Sequence, residues 1–130
     1  MPETLASWLD LTVPDAQRAR AFYCAVLGTT TSAIGMRDAE GEYEDFCLHP
    51  SASPEAGALA GVCHARGPNT KVPRVWMPYF TVQDLEKAIN EATQRGAEVL
   101  DGPKNIGGTM QVAFIRDPDG ASFGLVSGSM

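Results

Sequence analysis

The sequence predicts an α+β fold made of two tandem βαβββ modules. One observation is a repeat: Asp15, after Thr-Val-Pro, opens a helical stretch, and Asp84, after Thr-Val-Gln, opens another 69 residues later. The other is that each stretch follows one strand-like segment and precedes three more. This period is too long for a solenoid unit and fits two copies of one supersecondary module. We expect a single domain over 1–130, with module one near 7–66, a linker near 67–72 and module two near 73–127.

Module one begins with a strand that has two unlike faces. Over 8–13, Leu9, Leu11 and Val13 alternate with Trp8, Asp10 and Thr12. Asp15 is expected to be the N-cap of the helix that follows, and Gly28 its C′ residue. The aromatic residues Phe22 and Tyr23 of this helix are expected in the core. Three strands are expected next, near Thr30–Arg37, Tyr43–His49 and Ala58–Ala65, with a loop over Pro50–Gly57.

Module two follows the same plan. The expected elements are a strand near 76–82 with Trp76 and Phe80 facing the core, a helix from Asp84 to Gly96, and strands near Glu98–Leu100, Thr109–Ile115 and Ser122–Val126. The Asp-Pro-Asp-Gly segment at 117–120 predicts a tight turn. The glycine-rich stretch Asn105–Thr109 lacks the strand–loop–helix setting of a phosphate loop, so a hairpin or a flexible lip is expected there.

Composition and charge exclude several classes of function. A formal net charge of −6 and scattered basic residues argue against nucleic acid and anionic membranes as partners. No apolar run approaches the roughly 20 residues of a membrane helix, and the N-terminus lacks signal-peptide features. The three cysteines are odd in number and have no CxxC spacing. Reduced thiols in a cytoplasmic protein are therefore expected.

The order and spacing of these motifs resemble the vicinal oxygen chelate superfamily. The motifs are Val-Pro-Asp after the first strand, Ala-Phe-Tyr through Leu-Gly in the first helix, and Asp-Pro-Asp-Gly before the last strand. That superfamily includes glyoxalase I, bleomycin resistance proteins and extradiol dioxygenases. The resemblance implies curled mixed sheets around a central cavity, and a homodimer.

The resemblance also fixes where a divalent metal would be bound. Members with metal chemistry place ligands at positions that correspond here to Trp8, Met77 and Gly124, with one more on the strand Ala58–Ala65. Indole and glycine supply no ligand, and a thioether is a poor ligand for hard cations. We therefore expect no metal and no cofactor.

Within the expected cavity, the predicted ligand-binding residues are Trp8, Asp10, Thr12, Met77, Tyr79 and Gly124. Asp10 is a candidate substrate anchor or general base, or else a structural partner of one of four arginines, Arg37, Arg66, Arg74 or Arg116. His64 is a second acid–base candidate. It cannot form a dyad with the adjacent Cys63, because neighbouring strand residues point to opposite faces. His49 is expected at the surface.

Three functions remain open from the sequence. The first is a metal-free protein that binds a small organic, possibly aromatic, molecule, in the manner of bleomycin resistance proteins. The second is an enzyme, a lyase, isomerase or dioxygenase, that uses a displaced metal site or Asp10 and His64. The third is a dimerising interaction module whose cavity has collapsed.

Overall fold

The computed structural model describes residues 6–50 and 57–129. In these residues the element order βαβββ occurs twice, which confirms the α+β class and the repeat. Module one contains β1 (Ala6–Val13), α1 (Ala16–Leu27), β2 (Thr30–Asp38), β3 (Gly41–His49) and β4 (Ala60–His64); module two contains β5 (Met77–Thr81), α2 (Leu85–Gln94), β6 (Glu98–Gly107), β7 (Met110–Arg116) and β8 (Ser122–Ser127). Most of the expected loop over Pro50–Gly57 lies outside the described residues.

Residues 8–76 form one compact unit, and residues 77–129, grouped with Ala6 and Ser7, form another. In module one the strand order is β2-β3-β4-β1, and in module two it is β6-β7-β8-β5. In both modules the first and last strands pair in parallel, whereas the other pairs are antiparallel. The two modules therefore repeat not only the element order but also the pairing of their strands.

Both helices begin at the predicted aspartates. A side-chain oxygen of Asp15 accepts a hydrogen bond from the backbone N–H of Arg18 at 3.0 Å, and Asp84 does the same for Lys87 at 3.0 Å. Each bond satisfies one of the N–H groups that a helix leaves unpaired at its start. Helix α1 ends at Gly28, whose φ of 67° lies in the left-handed region that glycine adopts without strain.

Each helix covers one face of its sheet. In module one the buried cluster is Ala16, Phe46, Leu48, Ala60 and Val62, with Tyr23 and Trp76 packed against it. In module two it is Leu85, Ala113, Ile115 and Leu125, with Phe80 packed against it. The core positions predicted for Tyr23, Trp76 and Phe80 are thus confirmed.

The core position predicted for Phe22 is wrong. Its side chain is 59% exposed, and the neighbouring Val26 and Leu27 are 61% and 58% exposed. The helix faces the sheet through Ala16, Ala19 and Tyr23, which are spaced three and four residues apart. The apolar surface of α1 is wider than the strip that the sheet covers, and helical spacing alone does not show which part of it is buried.

Strand β6 is longer than predicted, and of the two alternatives for Asn105–Thr109 the structure has the hairpin. The strand continues from Glu98 to Gly107, with register shifts that let it bend. Gly107 pairs with Met110, so this stretch is a hairpin between β6 and β7 and not a loose lip. The predicted turn at 117–120 is present, where Asp117 accepts hydrogen bonds from the backbone N–H groups of Asp119 and Ala121, both at 2.9 Å.

No helix within residues 6–50 and 57–129 has the length and apolar character that crossing a membrane requires.

Replacing Asp15 by alanine is expected to lower the free energy of unfolding by about 1 kcal/mol, because the N–H of Arg18 loses its partner. Asp15→Ser keeps a capping oxygen and should retain most of the stability. Urea unfolding followed by circular dichroism measures both variants. Equal loss in the alanine and serine variants would contradict the capping role.

Candidate functional site

Module one has a sheet face that α1 does not cover. Phe46 and Leu48 of β3 pack toward the helix. The alternating residues Asp45 and Cys47 therefore point to the opposite side, because successive side chains of a strand leave on opposite faces. We call this side the free face of module one. Trp8, Asp10 and Thr12 of β1 lie on it, out of phase with Leu11, as the alternation predicted.

The centre of the free face is a hydrogen-bonded pair, Trp8 and Asp10. The indole Nε1 of Trp8 donates to Oδ1 of Asp10 at 2.9 Å. Asp10 is only 8% exposed, and its register partner on β4 is Gly61. A Cβ atom on Gly61 would lie 2.2 Å from Oδ1 of Asp10 and 3.2 Å from Nε1 of Trp8. The pair thus occupies the space that a side chain at position 61 would need.

Two thiols border the Asp10 carboxylate. Cys63 Sγ lies 3.8 Å from Oδ1 of Asp10 as a weak donor. Burial, together with the charges of Asp10 and Asp45, raises the pKa of the Cys63 thiol. Burial and Asp10 also raise the pKa of Cys47, although a hydrogen bond with Ser32 acts in the other direction. Both thiols are therefore protonated at neutral pH and are poor nucleophiles.

His64 is held by β3. Its Nδ1 is 2.9 Å from the backbone oxygen of Glu44 and 3.4 Å from Oδ1 of Asp45, and its ring lies edge-on to Tyr43. Asp45 also accepts a hydrogen bond from the backbone N–H of His64 at 2.8 Å. These contacts fix the imidazole at the end of β4. They give His64 a structural role. Its role as an acid–base group remains a prediction.

Three of the four arginines considered as partners for Asp10 are bound to other carboxylates. Arg37 pairs with Glu42 on the adjoining strand, and Arg116 pairs with Glu98. Arg66 makes two hydrogen bonds of 2.9 Å to Asp38, which raise the pKa of Arg66 and lower that of Asp38. Its guanidinium also lies 4.1 Å from the centre of the Tyr43 ring. Arg66 thus anchors the β2–β3 hairpin to the chain that follows β4.

Module two repeats the glycine arrangement with different side chains. Tyr79 pairs with Gly124, and a Cβ at Gly124 would lie 2.6 Å from the tyrosine ring. The Tyr79 ring lies 5.8 Å from that of Phe114, which is 3% exposed. Lys104 Nζ is 5.2 Å from the centre of the Phe114 ring and forms a 2.7 Å ion pair with Asp101. Here the face is filled by packed rings.

Corresponding rows of the two sheets show how the modules differ. The module-one row, read across the strands by register, is Asp10, Gly61, Cys47 and Ser32. The module-two row is Tyr79, Gly124, Phe114 and Asp101. Where module two has two aromatic rings, module one has a carboxylate and a small thiol. The row on the free face of module one therefore has smaller side chains than the row in module two, and more of them are polar.

The structure places the six predicted ligand-binding residues in two sets. Trp8, Asp10 and Thr12 share the free face of module one, where Thr12 is 4% exposed. Met77, Tyr79 and Gly124 belong to module two, where Met77 is 1% exposed. Sequence reasoning missed Gly61, Cys47 and Ser32. Their alternation within each strand was visible, but only long-range pairing shows that they form one row with Asp10.

The residues present do not fit the metal site of the family's metalloenzymes. Asp10 and Tyr79 occupy the same position in the two modules. Asp10 pairs with Gly61 and Tyr79 pairs with Gly124, so Gly61 is the module-one counterpart of Gly124. The corresponding positions are thus Trp8, Gly61, Met77 and Gly124, and no side chain among them is a good ligand for a hard cation. Within 6–50 and 57–129, no group of three or more His, Cys, Asp or Glu residues could hold a metal ion.

Comparison with known proteins identifies the family. The description "Glyoxalase/Bleomycin resistance protein/Dioxygenase superfamily" fits residues 6–125. The chain belongs to this superfamily. A solved superfamily member from Vibrio splendidus has the same fold, with a TM-score of 0.56 at 16% identity over 96% of this chain and 100% of that one.

Two curated relatives are longer than this chain. The Mycobacterium tuberculosis protein CFP32, whose name assigns it provisionally to the glyoxylases, is 27% identical over 119 residues. The anthracycline biosynthesis protein DnrV of Streptomyces peucetius is 26% identical over 131 residues. In each case 92% of this chain is covered but only 44% or 45% of the relative. The chain thus spans less than half of their length.

Gly61→Ala is expected to lower the free energy of unfolding by about 1–3 kcal/mol, because the new methyl group overlaps the Trp8–Asp10 pair. Gly35→Ala is the matched control, since nothing lies within 4 Å of a Cβ there. Chemical denaturation measures both. Adding Asp10→Ala to Gly61→Ala should reduce the loss, and equal stability of the two single variants would contradict the close approach.

Proposed function

We propose that the chain binds a small planar organic molecule on the free face of module one, without a catalytic metal. The observation that carries this proposal is the Trp8–Asp10 pair over Gly61. It stands where the family's metalloenzymes place a ligand, and it replaces metal coordination by an aromatic surface and a carboxylate. These two groups together recognise a flat molecule with a hydrogen-bond donor.

The contrast between the two rows supports module one as the binding half. A planar ring needs space beside the indole, and the small Cys47 side chain leaves it, whereas Phe114 fills the equivalent position in module two. Trp8 is partly buried, so its indole ring is held in place and is still partly accessible to a ligand. The relation to DnrV agrees with a planar ligand, since anthracyclines are polycyclic aromatic compounds.

The proposal is tested with 2-naphthol, a flat probe with one hydroxyl donor. Fluorescence titration should detect binding that is unchanged after dialysis against a chelator. Asp10→Asn should weaken binding about tenfold, because a charged acceptor is lost. Glu42→Gln is the control, since Glu42 is exposed and pairs with Arg37. One tightly held metal ion per chain, removed by the chelator together with binding, would overturn the proposal.

A second candidate is an enzyme of the same superfamily, a lyase, isomerase or dioxygenase. The observation in its favour is the burial of Asp10, because a carboxylate in a poorly hydrated place can act as a general base. His64 offers less support, since its Nδ1 faces Glu44 and Asp45. Turnover of a bound compound that is lost in Asp10→Asn, with binding retained, would favour this candidate over simple binding.

We also propose that the protein is a cytoplasmic homodimer. Module one carries a mostly apolar recess of about 370 Å³ near the end of α1. Its lining includes Leu9, Leu27 and Leu59, which are 41%, 58% and 58% exposed. A contiguous apolar surface of this kind is typical of an interface. A second copy of this chain is the occupant we favour, because most soluble oligomers are two-fold dimers in which the same patch of both copies meets.

Leu59→Glu is expected to convert the dimer to a monomer, because it places a charge in the apolar recess. Light scattering after size-exclusion chromatography measures the mass. Ile106→Glu on β6 changes an equally apolar residue, 42% exposed, outside the recess and should leave the dimer intact. A monomeric wild-type protein, or a dimer that survives Leu59→Glu, would contradict the proposed interface.

A further inference from the structure

We propose that Ser32 and His49 form a second recognition point on the free face of module one, at the opposite end of the row from Asp10. They would bind a hydrogen-bond acceptor on the far end of the same planar ligand. This inference rests on the proposed function and deepens it. It names the ligand class as a flat molecule with a donor at one end and an acceptor, such as a carboxylate, at the other.

The register places this second point at a useful distance. Ser32 pairs with Cys47, and Cys47 pairs with Gly61, over which the Asp10 carboxylate lies. Ser32 is thus two strand spacings, about 10 Å, from the carboxylate. In this row the Cys47 side chain lies between them. This distance matches the long axis of a bicyclic or tricyclic aromatic molecule, and the small Cys47 side chain leaves room for it.

Ser32 and His49 are joined by a hydrogen bond between their side chains. Ser32 Oγ lies 2.7 Å from Nε2 of His49, with Ser32 exposed and His49 partly buried. His49 lies on the same face as Cys47, two residues further along β3, as alternation requires. His49 is therefore more than the surface residue that the sequence suggested, because its ring orients the serine hydroxyl.

The surroundings of His49 indicate which atom donates. Its Nδ1 is enclosed and has no hydrogen-bond partner in the described part of the chain. An enclosed N–H without an acceptor is costly, so the ring proton belongs on Nε2. The Nε2–H then donates to Ser32 Oγ. The hydroxyl proton of Ser32 is left for another acceptor.

The Cys47 thiol beside that hydroxyl competes only weakly with a ligand as the acceptor of its proton. Ser32 is within hydrogen-bond reach of Cys47, but a protonated thiol is a poor acceptor. A ligand carboxylate or carbonyl oxygen is a much stronger one. The hairpin that carries Ser32 is also well placed to present it, since β2 and β3 pair along their whole length and Arg66 anchors Asp38 at the end of β2.

Three probes separate the two ends of the site: 6-hydroxy-2-naphthoate, 2-naphthol and 2-naphthoate. The wild-type protein should bind 6-hydroxy-2-naphthoate most tightly. Ser32→Ala should weaken its binding about fivefold, because one hydrogen bond is lost, and should leave 2-naphthol binding unchanged. Ser32→Thr keeps the hydroxyl and should restore the wild-type affinity. Titration calorimetry measures all nine pairs, and melting temperatures verify that the variants are folded.

The outcomes distinguish this inference from the function on which it rests. If the wild-type protein binds none of the three probes, the proposed binding of planar aromatic molecules on this face fails. If it binds them but Ser32→Ala leaves the affinity for 6-hydroxy-2-naphthoate unchanged, the second recognition point alone is overturned. Equal weakening of 2-naphthol and 6-hydroxy-2-naphthoate by Ser32→Ala would also overturn it, since the serine would then act through the structure of the face.

Discussion

The close approach of Asp10 to the backbone of Gly61 is the constraint on which the free face of module one depends. The carboxylate lies in the volume that any other residue at position 61 would fill. In that position it can accept the indole N–H of Trp8 and contact the thiol of Cys63. A buried carboxylate is costly unless such partners are present, so the glycine, the aspartate and the tryptophan form one interdependent unit.

Local sequence was enough to predict the order of the elements and the ends of the helices, because helix ends are set by local chemistry. Asp15 and Asp84 cap the helices through hydrogen bonds three residues along the chain, and Gly28 adopts a conformation that few other residues tolerate. The exposure of Phe22 was not predictable in the same way. Which part of an apolar helix surface is buried depends on how the helix lies on a sheet, and that is decided by contacts distant in sequence.

The candidate site was predictable only in part, for a related reason. Alternation along β1 placed Trp8 and Asp10 on one face without knowledge of any partner strand. Gly61 and Ser32 join that face through pairings that span many residues, and a shift of one residue in either register would turn them away. The metal positions could be checked from the sequence, except on β4, where the register was needed to identify Gly61.

The unlike rows of the two modules also have an evolutionary consequence. A duplicated module has two copies of each position, so one copy can take up a structural task while the other remains open to selection for ligand preference. In module two aromatic rings pack over Gly124, which is typical of a copy with a structural task. Specificity can then diverge through a few substitutions on one half of the chain, without disturbing the pairing of strands that both halves inherited.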